Sequence, residues 1–286
     1  MQTTPTMRLL LIALFGCALG HAATNSLLFA QLNLNVTSFG EHSRFWTGAL
    51  GATPIKSPDP KVAILSFPNL IIFMRENPPK GGTTGSTVDH VGFQVPNVHE
   101  IMTRILVAGY RIVTTDEAPT RSVRNGALFS SDHNLKVVFM MGPDEIKIEL
   151  IENPSLNAPV FHHVHFITPQ EQATQAWYSN VFGVKFTHVG SIGEGALPLA
   201  VKLLFSTSPT PVVGTRGRVI DHIGFEAKDL KEFCAGVEAL GVQLDQPAKV
   251  VPAPWNSNSA SLTDPSGTYI QVTEGAAFGF FRSYLE

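Results

Sequence analysis

The sequence repeats itself over a distance of 132 residues, and this repeat limits the fold more than any other feature. The hexapeptide VDHVGF around His90 returns as IDHIGF around His222, which is 132 positions later. The same distance separates Gln31, in FAQLNL, from His163, in FHHVHF. Because similar segments at a fixed spacing are the mark of a duplicated unit, we predict two tandem copies of one domain.

Each copy contains two shorter modules. Four segments with the pattern of β-strands are each followed by a helix-start signal. The capping residues of these signals are Ser38, Asn97, Thr168 and Asp229. Apolar residues then recur at helical spacing, and short β-rich runs follow each helix. The sequence therefore predicts four βαβββ modules and an α+β fold class.

Two prolines mark the boundary between the copies. Residues 153–159 read NPSLNAP, and proline interrupts both helices and strand ladders. We therefore place the first domain at residues 24–156 and the second at residues 157–286.

The N-terminus has the pattern of an export signal. Arg8 precedes the apolar run LLLIALF, and small residues follow as far as Ala23. This run is well below the roughly 20 residues that cross a bilayer, so we predict a cleaved signal peptide over residues 1–23 rather than a membrane span. The expected location is the periplasm or the outside of the cell. Lipidation of Cys17, in the lipobox-like segment LFGC, is the alternative.

The composition favours packed domains that bind a small molecule. Hydrophobic residues make up 44% of the chain and charged residues 15%, which is enough for compact cores. The formal net charge is −3 and no run of Lys or Arg is longer than a pair, so nothing indicates a nucleic-acid or anionic-membrane surface. We expect a small-molecule substrate or ligand as the partner. Both a monomer and a homodimer remain open.

Polar side chains share one face of the leading strands. Side chains alternate across a strand, so Gln31 and Asn33 lie on one face and the apolar residues beside them on the other. Amides are costly to bury without partners, so the polar face should line water or a site. In the other three modules His90, His163 and His222 stand at the position of Gln31.

The next residue on this face is small or polar in every module. The residues two positions along are Asn33, Gly92, His165 and Gly224. Because glycine has no side chain, we expect room for a ligand above His90 and His222. The four equivalent positions together favour a site over four unrelated core histidines and amides.

Four βαβββ modules that open on a strand with His or Gln resemble the vicinal oxygen chelate superfamily, which includes glyoxalase I, extradiol dioxygenases and bleomycin-resistance proteins. The resemblance covers nearly the whole mature chain. It is most specific in HIGF at His222 with the later DPSG, and in HVGF at His90 with IEL around Glu149. It implies paired modules that curl into two cup-shaped mixed sheets with helices outside. A metal would lie in the cup.

The resemblance also implies one set of metal ligands in each domain, taken from first and last strands. The sets are Gln31, His90 and Glu149 in the first domain and His163, His222 and Gln271 in the second. The remaining last-strand positions fall near Met74 and Leu204, which do not bind hard metals. Gln271 stands where a carboxylate is expected, and a neutral amide should weaken binding of a divalent ion such as iron, manganese, zinc or nickel.

The leading hypothesis is a metal-dependent enzyme of the lyase or isomerase type, or of the ring-cleaving dioxygenase type. The ion would chelate two neighbouring oxygens of a small substrate and stabilise an anion as a Lewis acid. Glu149 is the candidate general base, and Tyr269, on the same strand face as Gln271, is a candidate donor to a bound oxygen. The alternative is a metal-free protein that sequesters a small molecule, as bleomycin-resistance proteins do.

Overall fold

Two mixed β-sheets with a few helices make up the structure, a computed structural model that describes residues 27–118, 122–130, 135–253 and 255–276. The predicted signal peptide and Cys17 lie outside the described residues, so cleavage, export and lipidation stay predictions. Among the described helices, none is long and apolar enough to cross a membrane.

The two modules of the first copy follow the predicted order. The first module consists of β1 (Leu28–Val36), α1 (Phe39–Ser43) with a π-helical continuation (Arg44–Ala49), β2 (Thr53–Ile55), β3 (Ala63–Phe67) and β4 (Leu70–Glu76). The second module adds short elements to the pattern. It consists of β5 (Val88–Val95), α2 (Val98–Val107), β6 (Arg111–Ile112), α3 (Thr114–Glu117), β7 (Val123–Arg124), β8 (Ala127–Ser130), β9 (Leu135–Met141), a 3-10 turn (Pro143–Glu145) and β10 (Lys147–Glu152).

The two modules of the second copy are closer to the plain βαβββ pattern. The third module consists of β11 (Val160–Thr168), α4 (Glu171–Phe182), β12 (Phe186–Val189), β13 (Ile192–Ala196), a 3-10 turn (Pro198–Ala200) and β14 (Lys202–Thr207). The fourth module consists of β15 (Ile220–Glu226), α5 (Leu230–Ala239), β16 (Gln246–Val251), β17 (Ser257–Thr263) and β18 (Tyr269–Glu274). The four predicted modules are therefore confirmed.

Side-chain caps begin three of the helices where the sequence predicts them. Ser38 accepts a hydrogen bond from the backbone of Glu41, Asn97 from His99 and Glu100, and Asp229 from Glu232. The remaining predicted cap, Thr168, is wrong by two residues, because Gln170 is the residue before α4. Thr168 instead accepts a hydrogen bond from the backbone N–H of Gln170, two residues further along the chain.

Each sheet contains modules from both copies of the repeat. The first sheet has the order β16-β17-β18-β15-β1-β4-β3-β2, and the second has the order β12-β13-β14-β11-β5-β10-β9-β8-β7. The leading strands pair antiparallel at the centre of each sheet, β1 with β15 and β5 with β11. The first module is thus joined to the fourth, and the second to the third.

Connector length explains this pairing. The proline-containing segment 153–159 between β10 and β11 is short, so β11 pairs with the β5 strand that lies beside β10. The segments 77–87 and 208–219 cross from one sheet to the other, and they bond to each other through backbone groups of Thr87 and Val213 and of Lys80 and Gly217. The boundary between residues 156 and 157 stays a prediction about the sequence copies, and each sheet combines modules of both copies.

One apolar core joins the two sheets. Four phenylalanines, one from each leading strand, meet at its centre: Phe29, Phe93, Phe161 and Phe225. Phe29 stacks on Phe161 with ring centroids 5.2 Å apart, and these residues are related by the 132-residue repeat. The apolar faces of the strands and the buried residues of the helices belong to this same core. The opposite, more polar face of each sheet is called its inner face below.

Candidate metal centre

Two imidazoles and one carboxylate converge on the inner face of the second sheet. Oε2 of Glu149 lies 3.1 Å from Nε2 of His90 and 3.1 Å from Nε2 of His163. The three residues lie on neighbouring strands, since β10 pairs parallel and β11 antiparallel with β5. Both histidines are buried. This cluster is the candidate metal centre.

A third imidazole belongs to the same cluster. His165 lies two residues after His163 on β11, and the ligand atoms of His90, His163 and His165 all lie within 4.8 Å of one another. Nε2 of His165 hydrogen-bonds Oγ of Ser206 at 2.8 Å. The sequence placed His165 on the polar face but did not predict it as a site residue. Its position two along from His163 was the signal that could have found it.

An outer layer of charged groups orients His90. Its Nδ1 lies 2.7 Å from Oδ2 of Asp89, which leaves Nε2 directed at Glu149. The buried ammonium group of Lys147 lies 2.8 Å from Asp89 and 2.8 Å from Glu117. Burial raises the pKa of Asp89, but His90 and Lys147 outweigh burial and lower that pKa to about 2.

A glycine makes room for the His163 ring. A Cβ atom at Gly92 would lie 2.0 Å from Cε1 of His163, because these two residues are cross-strand partners. The expectation that Gly92 leaves space for a ligand is therefore wrong, since the imidazole of the neighbouring strand fills it. Nδ1 of His163 lies 2.8 Å from Nδ1 of His162, so its Nε2 is the nitrogen that faces Glu149.

The charges of Glu149, His163 and His165 suit metal binding, whereas His90 would lose a proton when a metal binds. Burial alone would lower the pKa of His90, but hydrogen bonds to Asp89 and Glu149 outweigh burial and raise it. Burial raises the pKa of Glu149, yet the two adjacent imidazoles hold this pKa well below its ordinary value. Burial lowers the pKa of His163, and burial with the neighbouring imidazoles lowers the pKa of His165 to about 3. An ionised carboxylate and neutral imidazoles are the forms that bind metals.

This donor set fits a divalent metal ion. Nε2 of His163 is buried and has no aligned hydrogen-bond partner among the described residues, although Glu149 lies near it. A buried polar atom without a partner costs about 1–3 kcal/mol, so an additional ligand for it is expected. Two imidazoles and one carboxylate suit iron, manganese, zinc or nickel.

The first sheet carries amides at the equivalent positions. Gln31 and Asn33 on β1 match His163 and His165, His222 on β15 matches His90, and Gln271 on β18 matches Glu149. Nδ1 of His222 lies 2.6 Å from Asp221, as Nδ1 of His90 does from Asp89. A Cβ atom at Gly224 would lie 2.2 Å from Cγ of Gln31, so here too the cross-strand partner fills the space expected above the histidine.

The predicted grouping of ligands is wrong, although every named residue lies on an inner face. Gln31 was expected with His90 and Glu149, and His163 with His222 and Gln271. The structure instead places His90, His163 and Glu149 together in the second sheet and Gln31, His222 and Gln271 together in the first. The reason is the pairing of modules, which joins the second to the third rather than to the first. The metal role of these residues stays a prediction.

The remaining predicted positions are also resolved by strand register. The fourth ligand position falls on Phe73, opposite Asn33, and on Leu204, opposite His165. Met74 instead lies in the apolar core. Tyr269 lies in the first sheet, where its ring centroid is 5.1 Å from that of His222 and the Arg216 guanidinium lies over it. Tyr269 therefore lies beside His222 in the first sheet and not at the candidate metal centre.

The two-sheet architecture is shared with solved structures of glyoxalase I and of a putative dioxygenase. Glyoxalase I from Zea mays has a similar structure, with a TM-score of 0.66 over 92% of this chain and 98% of that chain, at 16% identity. A putative dioxygenase from Bacillus subtilis subsp. subtilis str. 168 gives a TM-score of 0.65 over 91% of this chain and 89% of that chain, at 14% identity. At these identities the likeness shows the fold. No protein-family model matches the chain, and the search of curated proteins gives no match.

Proposed function

We propose that the protein is a metal-dependent enzyme of the vicinal oxygen chelate type, with its centre at His90, His163 and Glu149. The observation that carries this proposal is the approach of one carboxylate oxygen to two buried imidazole nitrogens, at 3.1 Å each. When bound, a divalent metal ion would supply a Lewis acid with open positions for two neighbouring oxygens of a small substrate.

The ligand set favours ring-cleaving dioxygenase chemistry over lyase chemistry. Two histidines and one carboxylate are the arrangement of non-haem iron oxygenases. The sequence grouped Gln271 with His163 and His222, and this grouping argued against a dioxygenase because Gln271 stood where the carboxylate ligand is expected. The second sheet supplies the acid as Glu149, and Leu204 at the fourth position offers no ligand atom. The proposed substrate is therefore a small ring compound with two adjacent hydroxyl groups.

Side chains around the centre have separate roles in this proposal. Asp89 and Lys147 fix the ring of His90 so that its Nε2 faces the centre. His165 is a neutral imidazole beside the centre whose pKa of about 3 makes it a weak base, so it can hydrogen-bond a substrate hydroxyl rather than take its proton, and its bond to Ser206 holds the ring in place.

The nearest large cavity is separated from the centre by one side chain. Its volume is about 610 Å³, and its walls include His162, Gln94 and Lys202 but none of the proposed ligands. The ring centroid of His162 lies 5.1 Å from that of His163, so the His162 ring stands between this cavity and the centre. Gln94 and Lys202 can hydrogen-bond polar substituents, while Phe161 and Leu199 form apolar walls for a ring.

Metal analysis of matched variants tests the proposal. The mature protein is equilibrated with iron, manganese, zinc or nickel and freed of loose ions, and the bound metal is measured together with dioxygen uptake on catechol. We expect about one metal per chain, lost in His90→Ala and kept in His222→Ala. The two histidines are equivalent by repeat, so His222→Ala controls for general damage. Equal metal content in the two variants, or no metal in the unaltered protein, would overturn the proposal. Metal with glyoxalase-type activity but no dioxygen uptake would overturn the dioxygenase part.

A further inference from the structure

The inner face of the first sheet carries a separate, half-open cavity of about 130 Å³. Its polar wall includes Gln31, Asn33 and Gln271, the residues that stand where the second sheet carries its histidines and glutamate. Among the described residues that line it there is no aspartate or glutamate, and the one charged residue, Arg75, is exposed. A divalent cation has no charged ligand here, so the cavity calls for a different occupant.

A buried amide without a partner lines this cavity. Asn33 is 3% exposed, and its Nδ2 has no hydrogen-bond partner among the described residues. The amide nitrogens of Gln31 and Gln271 donate to Thr273 and Ser259, which leaves their carbonyl oxygens as acceptors. The wall therefore offers a ligand one hydrogen-bond donor, the Asn33 amide nitrogen, and two acceptors, the carbonyl oxygens of Gln31 and Gln271. A ligand with both kinds of group would complement it.

The other wall of the cavity is apolar and aromatic. Phe73 forms part of this wall and belongs to a small cluster separate from the main core, whose other buried members are Ala30, Val62, Ile64 and Ile71. Trp255 packs against the cluster, with its ring centroid 5.9 Å from that of Phe73. A cavity that is apolar on one side and hydrogen-bonding on the other suits a flat ring with a polar substituent. Its volume is somewhat below the roughly 150 Å³ of a closed cavity that holds one benzene ring, but the cavity is open on one side, so part of a substituted ring can extend beyond it.

We propose that this cavity is a metal-free binding site for an uncharged, planar, single-ring compound that presents an acceptor to Asn33 and a donor to Gln31 or Gln271. The ring would lie against Phe73 and Trp255. A charged substituent is disfavoured because the buried polar groups of the wall are neutral. Arg75 also lines the cavity but is exposed, so a charged group that paired with it would stay in water. This site is independent of the proposed metal centre and requires no metal.

Benzamide is a suitable probe, because it joins one ring to an amide with both a donor and an acceptor. Binding is measured by calorimetry and by the shift of the Trp255 indole NH signal, assigned with Trp255→Phe. We expect saturable binding at one site per chain. Asn33→Leu and Trp255→Ala should each weaken it about tenfold, the effect of losing one hydrogen bond or one ring contact. Asn33→Asp keeps the size of the side chain but removes the donor, so it should weaken binding similarly if Asn33→Leu fails to fold.

Two controls locate the probe. His90→Ala alters the second sheet, so it should leave benzamide affinity unchanged even where metal is lost. Benzoate has the same ring with a charge and should bind more weakly than benzamide. The inference is overturned by absence of saturable benzamide binding, by loss of binding in His90→Ala, or by tighter binding of benzoate. Metal content measured in the same samples reports separately on the proposed enzyme.

Discussion

The inner faces of the two sheets have the same backbone arrangement, but one carries charged side chains and histidines where the other carries amides and apolar side chains. In both, an antiparallel pair of leading strands places a side chain from one strand over a glycine of the other, His163 over Gly92 and Gln31 over Gly224. In both, a histidine on the glycine strand bonds the preceding aspartate through Nδ1. The scaffold therefore fixes where the side chains meet, and side-chain identity alone decides what they can bind.

The contrast extends beyond the equivalent ligand positions. Lys202 and Glu194 form an ion pair at 2.9 Å on the inner face of the second sheet. The matching positions in the first sheet, by strand register, are Ile71 and Ile64. One face thus carries charge at several places where the other carries amides or hydrocarbon. A charged face can hold an ion, whereas a neutral face with an aromatic wall is suited to an uncharged ring.

The largest expected effect is the loss of metal when the carboxylate is neutralised. Glu149→Gln keeps the shape of the side chain but removes its charge. Substitution of a residue that hydrogen-bonds a metal ligand typically lowers metal affinity 10–100-fold. Loss of the charge on a ligand itself should therefore lower it about a hundredfold or more. Competition with a fluorescent chelator measures the affinity. Gln271→Ala is the matched control in the first sheet and should leave the affinity unchanged. An affinity in Glu149→Gln within threefold of the original would contradict the assignment of the carboxylate.

The converse change should create a second metal site. Gln31→His with Gln271→Glu gives the first sheet the ligand types of the second, on strands that already have the same register. We expect about two metals per chain instead of one, the new one bound more weakly because Ile71 and Phe73 lie beside it. Each single substitution is a control and should add no metal. Failure of the double variant to bind a second ion would show that backbone equivalence does not suffice.

A smaller effect is expected from the aspartate behind the histidine. Asp89→Asn keeps a hydrogen-bond acceptor near Nδ1 of His90 but removes the charge that supports this ring. We expect metal affinity to fall about tenfold, because an outer carboxylate raises the basicity of a ligating imidazole. Asp221→Asn makes the same change behind His222 and should have no effect on bound metal. Equal effects of the two variants would mean that Asp89 supports the fold rather than the ligand.

Sequence patterns predicted the modules and the polar face, but not the assembly of the sites. Strand alternation and the repeat placed Gln31, His90, His163 and His222 at equivalent positions, and the structure confirms these positions. Which modules share a sheet depends on the short connector 153–159 and on contacts between segments 77–87 and 208–219, and none of these segments carries a periodic signal. The same limit explains Gly92, because the ring that fills its space comes from another strand.

The smallest expected effect concerns stability and compares the two glycines. A Cβ atom would lie 2.0 Å from the His163 ring at Gly92 and 2.2 Å from Gln31 at Gly224. Gly92→Ala and Gly224→Ala should each lower the free energy of unfolding by roughly 1–3 kcal/mol, the usual cost of overpacking. Chemical unfolding of the metal-free protein measures this.

The two variants should differ once metal is added, because only Gly92→Ala displaces a proposed ligand. Metal should then raise the stability of Gly224→Ala as it does for the unaltered protein, and raise that of Gly92→Ala less. Equal stabilisation of both variants would place the metal outside the His163 site.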